Sequence, residues 1–199
     1  MRIAVLVYGR LARCAEHYEN TINAIGTQHT IYFFASSDNS ANIDEFVRIY
    51  KPISYINDKI EYTYNFNNYP KPSYVDVDNM VRHFINKQRV LSLLEKHDAK
   101  YDAIVSLRID CVFTGNFNFD NIDDNTIYVP QGGDWRGLND QIAYGNPAVM
   151  KMYNSVFSNL ILLLEESRSV LHPESLTLAN VRYHNLKIVR VVLPYFIQK

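Results

Sequence analysis

Apolar residues fall along this chain in two rhythms. Continuous runs such as Ile3-Ala4-Val5-Leu6-Val7 leave no polar face, as expected of a strand covered on both sides of a parallel sheet. Between such runs the spacing lengthens to three and four. Ala15, Tyr18 and Ile22 predict a helix after Tyr8-Gly9-Arg10. Thr30 to Phe34 then predicts a strand, Ile43 to Tyr50 a helix, and Ile53 to Ile56, after Pro52, a third strand. This β-α-β-α-β order is the first half of a doubly wound α/β sheet.

The rhythm stops between Asn57 and Tyr74, a Tyr- and Asn-rich stretch with Pro70 and Pro72 that predicts a long irregular functional loop. A helix follows from about Asn79 to His97, with Met80, Phe84, Val90, Leu91 and Leu94 broadly on one side. Asp102 to Val112 carries the strongest central strand, Ala103 to Leu107, running into Arg108-Ile109-Asp110. Thr126 to Val129 and Gln141 to Tyr144 are short strands on either side of a Gly-rich loop. Pro147 to Glu166 and Glu174 to Tyr183 read as helices, and Lys187 to Leu193 as a strand. With no repeat or linker, residues 1–199 make one α/β domain.

Composition narrows the partners. Lys plus Arg total 20 against 21 Asp plus Glu, so the basic excess of a nucleic-acid binder is missing. With 47% hydrophobic residues the chain is not a disordered one, and its apolar runs are too short to span a membrane. A soluble, cytoplasmic protein with two reduced thiols, Cys14 and Cys111, is expected. The 15 Tyr and 10 Phe suit a β-rich core, and they also suit stacking on sugar rings or bases.

Four segments carry candidate chemistry. Tyr8-Gly9-Arg10-Leu11-Ala12-Arg13 leaves the first strand for a helix, where a glycine turn, free amides and two guanidinium groups suit phosphate oxygens. It lacks the glycines and lysine of dinucleotide and nucleoside-triphosphate loops. Arg108-Ile109-Asp110 ends the central strand, where open α/β sheets bind ligands; Asp110 is placed for a metal ion or for a pair with Arg108. Asp76-Val77-Asp78 is either a helix cap or a second carboxylate source. Gly132 to Gln141 holds the single Trp135 among glycines and polar residues, an aromatic platform beside Asp140, which suits a base, a nucleophile or a hydroxyl ligand.

In order along the chain, these pieces resemble the GT-A glycosyltransferases. The likeness rests on the Gly9-Arg10 loop, a helix with Lys87-Gln88-Arg89, and Tyr101-Asp102 opening a strand that ends Arg108-x-Asp110. Asn139-Asp140-Gln141 before Tyr144-Gly145, then His172-Pro173-Glu174, complete it. Small viral and bacterial members that build surface glycans are the most similar, above all chlorella-virus members that glycosylate a capsid protein. The resemblance implies a mixed, Rossmann-related central sheet of about six or seven strands flanked by helices. It further implies a nucleotide-binding half over about 1–113, an acceptor-side half over about 114–199, and a location in the host cytoplasm for a viral protein. A UDP-sugar donor, Mn²⁺ or Mg²⁺, and transfer of a hexose or 6-deoxyhexose to a glycan or glycoprotein acceptor follow from the same likeness. Asp110 would take the metal position, with Arg108 in place of the first Asp of the family motif and Asp76 or Asp78 supplying the missing carboxylate. Tyr8, Gly9, Arg10, Arg13, Ser36, Arg89, Arg108 and Trp135 would hold the donor, and Asp140 would be catalytic. A sugar nucleotidyltransferase and a non-catalytic carbohydrate-binding domain are the alternatives.

Overall fold

In a computed structural model, which describes residues 1–11 and 13–198, the run Ile3 to Val7 lies in strand β1 (Arg2–Tyr8) with all five side chains fully buried. Burial on both faces requires helices on both faces. Ile3, Val5 and Val7 pack with helices α1 (Cys14–Ile25) and α2 (Ile43–Tyr50). Ala4 and Leu6 pack with α3 (Val77–Glu95), α4 (Pro147–Tyr153) and α6 (Pro173–Tyr183). A third cluster joins α3 to α5 (Val156–Glu165) and includes Phe66.

The other strands are β2 (Thr30–Ser36), β3 (Ser54–Ile56), β4 (Ala103–Arg108), β5 (Cys111–Phe113), β6 (Thr126–Pro130), β7 (Ile142–Gly145), β8 (Lys187–Val191) and β9 (Tyr195–Ile197). Among the described residues, seven of them form one sheet in the order β3-β2-β1-β4-β7-β6-β8. The first four run parallel, β7 runs against β4 and β6, and β8 is parallel to β6. The sheet is mixed, as expected. Because β7 is reversed, its start lies at the same sheet edge as the ends of β1 and β4. Tyr8 is level with Ser36 and Arg108, and the Arg108 amide donates to the Gln141 carbonyl at 3.0 Å.

Three segments differ from the sequence expectations. The predicted strand from Asp102 to Val112 turns at Ile109-Asp110, and its second part becomes β5, paired with β9 in a two-stranded sheet. The predicted helix from Pro147 to Glu166 breaks at Asn154-Ser155. There the buried Asn154 amide donates back to the Met150 carbonyl at 2.8 Å and Ser155 Oγ to the Met152 carbonyl at 2.7 Å, and such bonds compete with helical pairing. The Asn57–Tyr74 segment, predicted as a long irregular loop, contributes to the core by burying Ile60 and Phe66. Its Tyr62 and Tyr69 hydroxyls reach Asp78 and Glu165 at 2.6 and 3.2 Å.

Candidate functional site

Two hollows of about 500 and 340 Å³ lie away from the strand ends. One sits beside the start of β4, lined by Leu94, Tyr101 and Pro147, and the other between Tyr62 to Lys71 and the start of α3. The dense polar chemistry is elsewhere, at the common edge of β1, β4 and β7. The first hollow is mostly apolar and the second is lined by Tyr62, Asn65, Asn67, Lys71 and Asp78, but the buried ionisable groups, whose shifted titration marks a functional site, gather at the sheet edge.

The centre of that edge is Asp140, 5% exposed. His83 Nε2 lies 3.2 Å from its Oδ2, close but off hydrogen-bonding alignment. The Asp140 carbonyl lies 2.9 Å from the Tyr8 hydroxyl and accepts from Lys87 Nζ at 3.4 Å. Lys87 is fully buried, its ammonium 4.0 Å from the centre of the Tyr153 ring and 5.6 Å from that of Tyr8. Burial pushes Lys87 down from 10.5 to about 7, against the pull of Asp140. Burial alone would raise the Asp140 carboxyl, but His83, Lys87 and Arg108 together hold it below its ordinary value. His83 is lowered by burial, with Asp140 opposing. The site keeps one firm negative charge against two reluctant cations.

Glu174 adds a second buried carboxyl, 6% exposed, and its Oε2 has no hydrogen-bond partner among the described residues. Burial first, and then Asp140, lift it from 4.5 to about 7. His172 Nδ1 is 3.5 Å from that oxygen, and the Tyr74 hydroxyl is 3.5 Å from His172 Nε2. The Gly-rich loop reaches the same place: the Leu138 amide donates to the Glu174 carbonyl at 2.9 Å. A Cβ on Gly137 would overlap the Glu174 backbone. The two irregular segments therefore meet at the start of α6.

The loop has the left-handed backbone its composition suggests, with φ of 86° at Gly132 and 69° at Gly133. Trp135 and Arg136 share that region at 37° and 72°, conformations that non-glycine residues hold only when their surroundings enforce them. Asn139 braces the loop on both sides of these two residues. Its Oδ1 accepts from the Gln141 and Ile142 amides at 3.0 and 3.3 Å, and its Nδ2 donates to the Gly132 carbonyl and the Tyr195 hydroxyl at 3.0 and 2.7 Å. Asp134 accepts from the Asn139 amide at 3.1 Å and pairs with Arg190 at 3.0 Å. Asp134 and Asn139 thus hold the loop, leaving Trp135 69% exposed.

The expected donor-binding residues divide. Gly9, with φ of 107°, turns the chain at the end of β1, and a Cβ there would meet open space. Arg10 and Arg13 are exposed, and neither guanidinium bonds another described side chain; Ala12, in the same expected loop, lies outside the described residues. Tyr8 is buried and points its hydroxyl at the Asp140 and Gln141 carbonyls. Ser36 is also buried and donates to Asn86 Oδ1 at 2.7 Å. Arg89 is committed to Asp58, bonding its carbonyl at 3.0 Å.

The expected metal carboxylates do not converge. Asp110 is held by Arg108, with Nε to Oδ1 at 3.1 Å and a second contact between Nη2 and Oδ2 at 2.5 Å. Asp76 caps α3, accepting from the Asn79 amide at 3.1 Å and its side-chain Nδ2 at 2.7 Å. Asp78 accepts from Tyr62 and from Arg82 at 2.6 and 2.7 Å. Among the described residues no three His, Cys, Asp or Glu side chains group as metal ligands, so Asp76 and Asp78 do not complete a set with Asp110.

Sequence reasoning passed over His83, Lys87 and Arg82 as individual residues. Arg82 ties the end of β2 to the following loop, bonding Asp38 at 2.7 Å and the Ile60 carbonyl at 2.8 Å. The signal for Lys87 was present: positions 80, 84, 87, 91 and 94 form one helical stripe, and a lysine in it is a buried cation.

A family model for a domain of unknown function, DUF7796, matches residues 40–199, and the chain belongs to that family. No curated protein matches it.

Proposed function

We propose that this member of the DUF7796 family is a glycosyltransferase that moves a hexose or 6-deoxyhexose from a UDP-sugar to a glycan acceptor. The observation that carries the reading is the meeting, at one edge of a mixed α/β sheet, of an open glycine turn, the Arg108–Asp110 pair and the buried Asp140–His83–Lys87 group. Ligands of open α/β sheets bind at such strand ends. The diphosphate would lie along Gly9, with Arg10 and Arg13 free to fork onto its oxygens. The exposed Trp135 would stack on a sugar face, and the ionised Asp140 would orient hydroxyls near it.

For Mn²⁺ or Mg²⁺ the fit is narrower than the sequence suggested. Divalent ions on diphosphates use one or two carboxylates and otherwise phosphate and water, so Asp110 alone is a fitting anchor once Arg108 turns away. Asp76 and Asp78 are committed to α3 and the Tyr62 loop. Such an ion would offset the charge of the leaving diphosphate.

Calorimetry with UDP, GDP, CMP and free sugars, with and without Mn²⁺, together with nucleotide release from UDP-sugars, tests the reading. UDP should bind more tightly than GDP or CMP, and more weakly in excess chelator. Release of pyrophosphate from a nucleoside triphosphate would favour a nucleotidyltransferase. Binding of sugars alone, with no nucleotide affinity, would favour a carbohydrate-binding domain. Equal UDP affinity in excess chelator would remove the ion.

A further inference from the structure

We propose, building on the glycosyltransferase reading, that Glu174 is a catalytic residue, the base that takes the proton of the acceptor hydroxyl. The two buried carboxyls at the sheet edge are not equivalent. The Asp140 carboxylate is held ionised by the neighbouring charges of His83, Lys87 and Arg108, whereas Glu174 Oε2 is buried without a hydrogen bond among the described residues, His172 Nδ1 standing off at 3.5 Å. A buried acceptor left without a partner weakens the fold, and the hydroxyl of a bound acceptor would complete this one. The surroundings agree. The Gly-rich loop lies against the Glu174 backbone, Tyr74 reaches His172 from the other irregular segment, and Trp135 stands exposed on that loop.

The step balances without a further reactant. The acceptor oxygen bonds the anomeric carbon as its proton passes to Glu174 Oε2. The bond from that carbon to the diphosphate oxygen breaks, and the nucleotide leaves with the electron pair. Glu174 then releases the proton to water.

Of the two carboxyls Glu174 has the better basicity for this task near neutral pH, since burial and the charge of Asp140 lift it to about 7 while Asp140 stays ionised. The charged and titratable groups around it are Asp140 before β7, Asp134 and Arg136 in the Gly-rich loop, Arg108 on β4, His172 before α6 and Tyr153 on α4. Activity that requires the ionised Glu174 rises as pH climbs through about 7.

The test measures nucleotide release from UDP-glucose, UDP-galactose and UDP-rhamnose by wild type and by Glu174→Gln. Water is the acceptor in one series and azide in the other, and melting temperatures are recorded for both proteins. Azide attacks without losing a proton, so it needs no base. Glu174→Gln should slow release to water on the order of 10²–10⁴-fold, lose the rise near pH 7, and keep transfer to azide. Wild-type rates to water with an unchanged pH profile overturn the proposal, and so does equal loss with water and azide, which marks a structural role. Should the Gln protein not fold, Glu174→Asp serves: the withdrawn carboxylate should slow release to water while transfer to azide survives, and equal loss with both acceptors, or wild-type rates with both, overturns the proposal. A wild type that releases nucleotide from no donor sinks the glycosyltransferase reading itself, and this inference with it.

Discussion

Replacing Lys87 by Met tests the electrostatics of the sheet edge independently of any substrate. The side chain is fully buried, donates only to the Asp140 carbonyl at 3.4 Å, and stands 4.0 Å from the centre of the Tyr153 ring. Burial lowers it from 10.5 to about 7. At about 1.4 kcal/mol per pH unit, that displacement makes the charged form roughly 5 kcal/mol less favourable in the folded chain than in the unfolded one. Between pH 7 and 10.5 the unfolded chain binds the proton that the folded chain has released, so wild-type stability climbs with pH across that window. Met at position 87 has no proton to release. Urea denaturation from pH 6 to 10 should therefore find Lys87→Met more stable than wild type by roughly 5 kcal/mol below pH 7, with the gap closing toward pH 10. Parallel stability curves for the two proteins would refute a buried, proton-releasing lysine at this position.

Other changes test the loop and the helix start. Gly137→Ala forces the Gly-rich loop away from the Glu174 backbone; it should cost about 1–3 kcal/mol in chemical denaturation and slow nucleotide release from UDP-sugars, and wild-type values for both would undo the close approach. Asp76→Ala removes the α3 cap and should cost about 0.5–2 kcal/mol while leaving the response of UDP binding to chelator unchanged. Asp78→Ala, at an exposed pair with Arg82, should cost under about 1 kcal/mol. A loss of metal response in either protein would return that carboxylate to the metal site. Asp110→Asn, in contrast, should abolish the gain in UDP affinity from Mn²⁺, as calorimetry would read.

The strands and helices of the parallel half were legible because their signals are local. Ile3 to Val7 has no polar face, and the three-and-four spacing after Gly9 admits only a helix. What stayed hidden depends on contacts distant in sequence. Nothing in Ile142 to Gly145 announces that this strand runs against β4, yet that reversal brings Asp140 beside Tyr8. The break at Asn154 depends equally on a distant residue, because its Oδ1 accepts from Ser106 Oγ at 2.8 Å across the core. At the site, sequence spelling favoured Asp-x-Asp and so drew Asp76 and Asp78 toward a metal. Their short-range partners, Asn79 and Arg82, explain them instead. Glu174 lay in the motif His172-Pro173-Glu174, but its isolation is a property of what surrounds it, and no spacing encodes that.

The two-stranded sheet of β5 and β9 has a consequence for the order in which the protein matures during synthesis. Asn139 and Gln141 complete their bonds through the hydroxyl of Tyr195, which is 56 and 54 residues further along the chain. A ribosome delivers Tyr8, Lys87 and Asp140 well before Tyr195, so β1 to β4 can assemble while the Gly-rich loop still lacks its clasp. Until residues through Ile197 have cleared the exit tunnel, Val112 has no partner in Phe196, and the turn at Asp110 is unsupported. A nascent chain stalled short of that point would have its sheet without the clasp on its Gly-rich loop. Ligand affinity should consequently arise late and abruptly during translation.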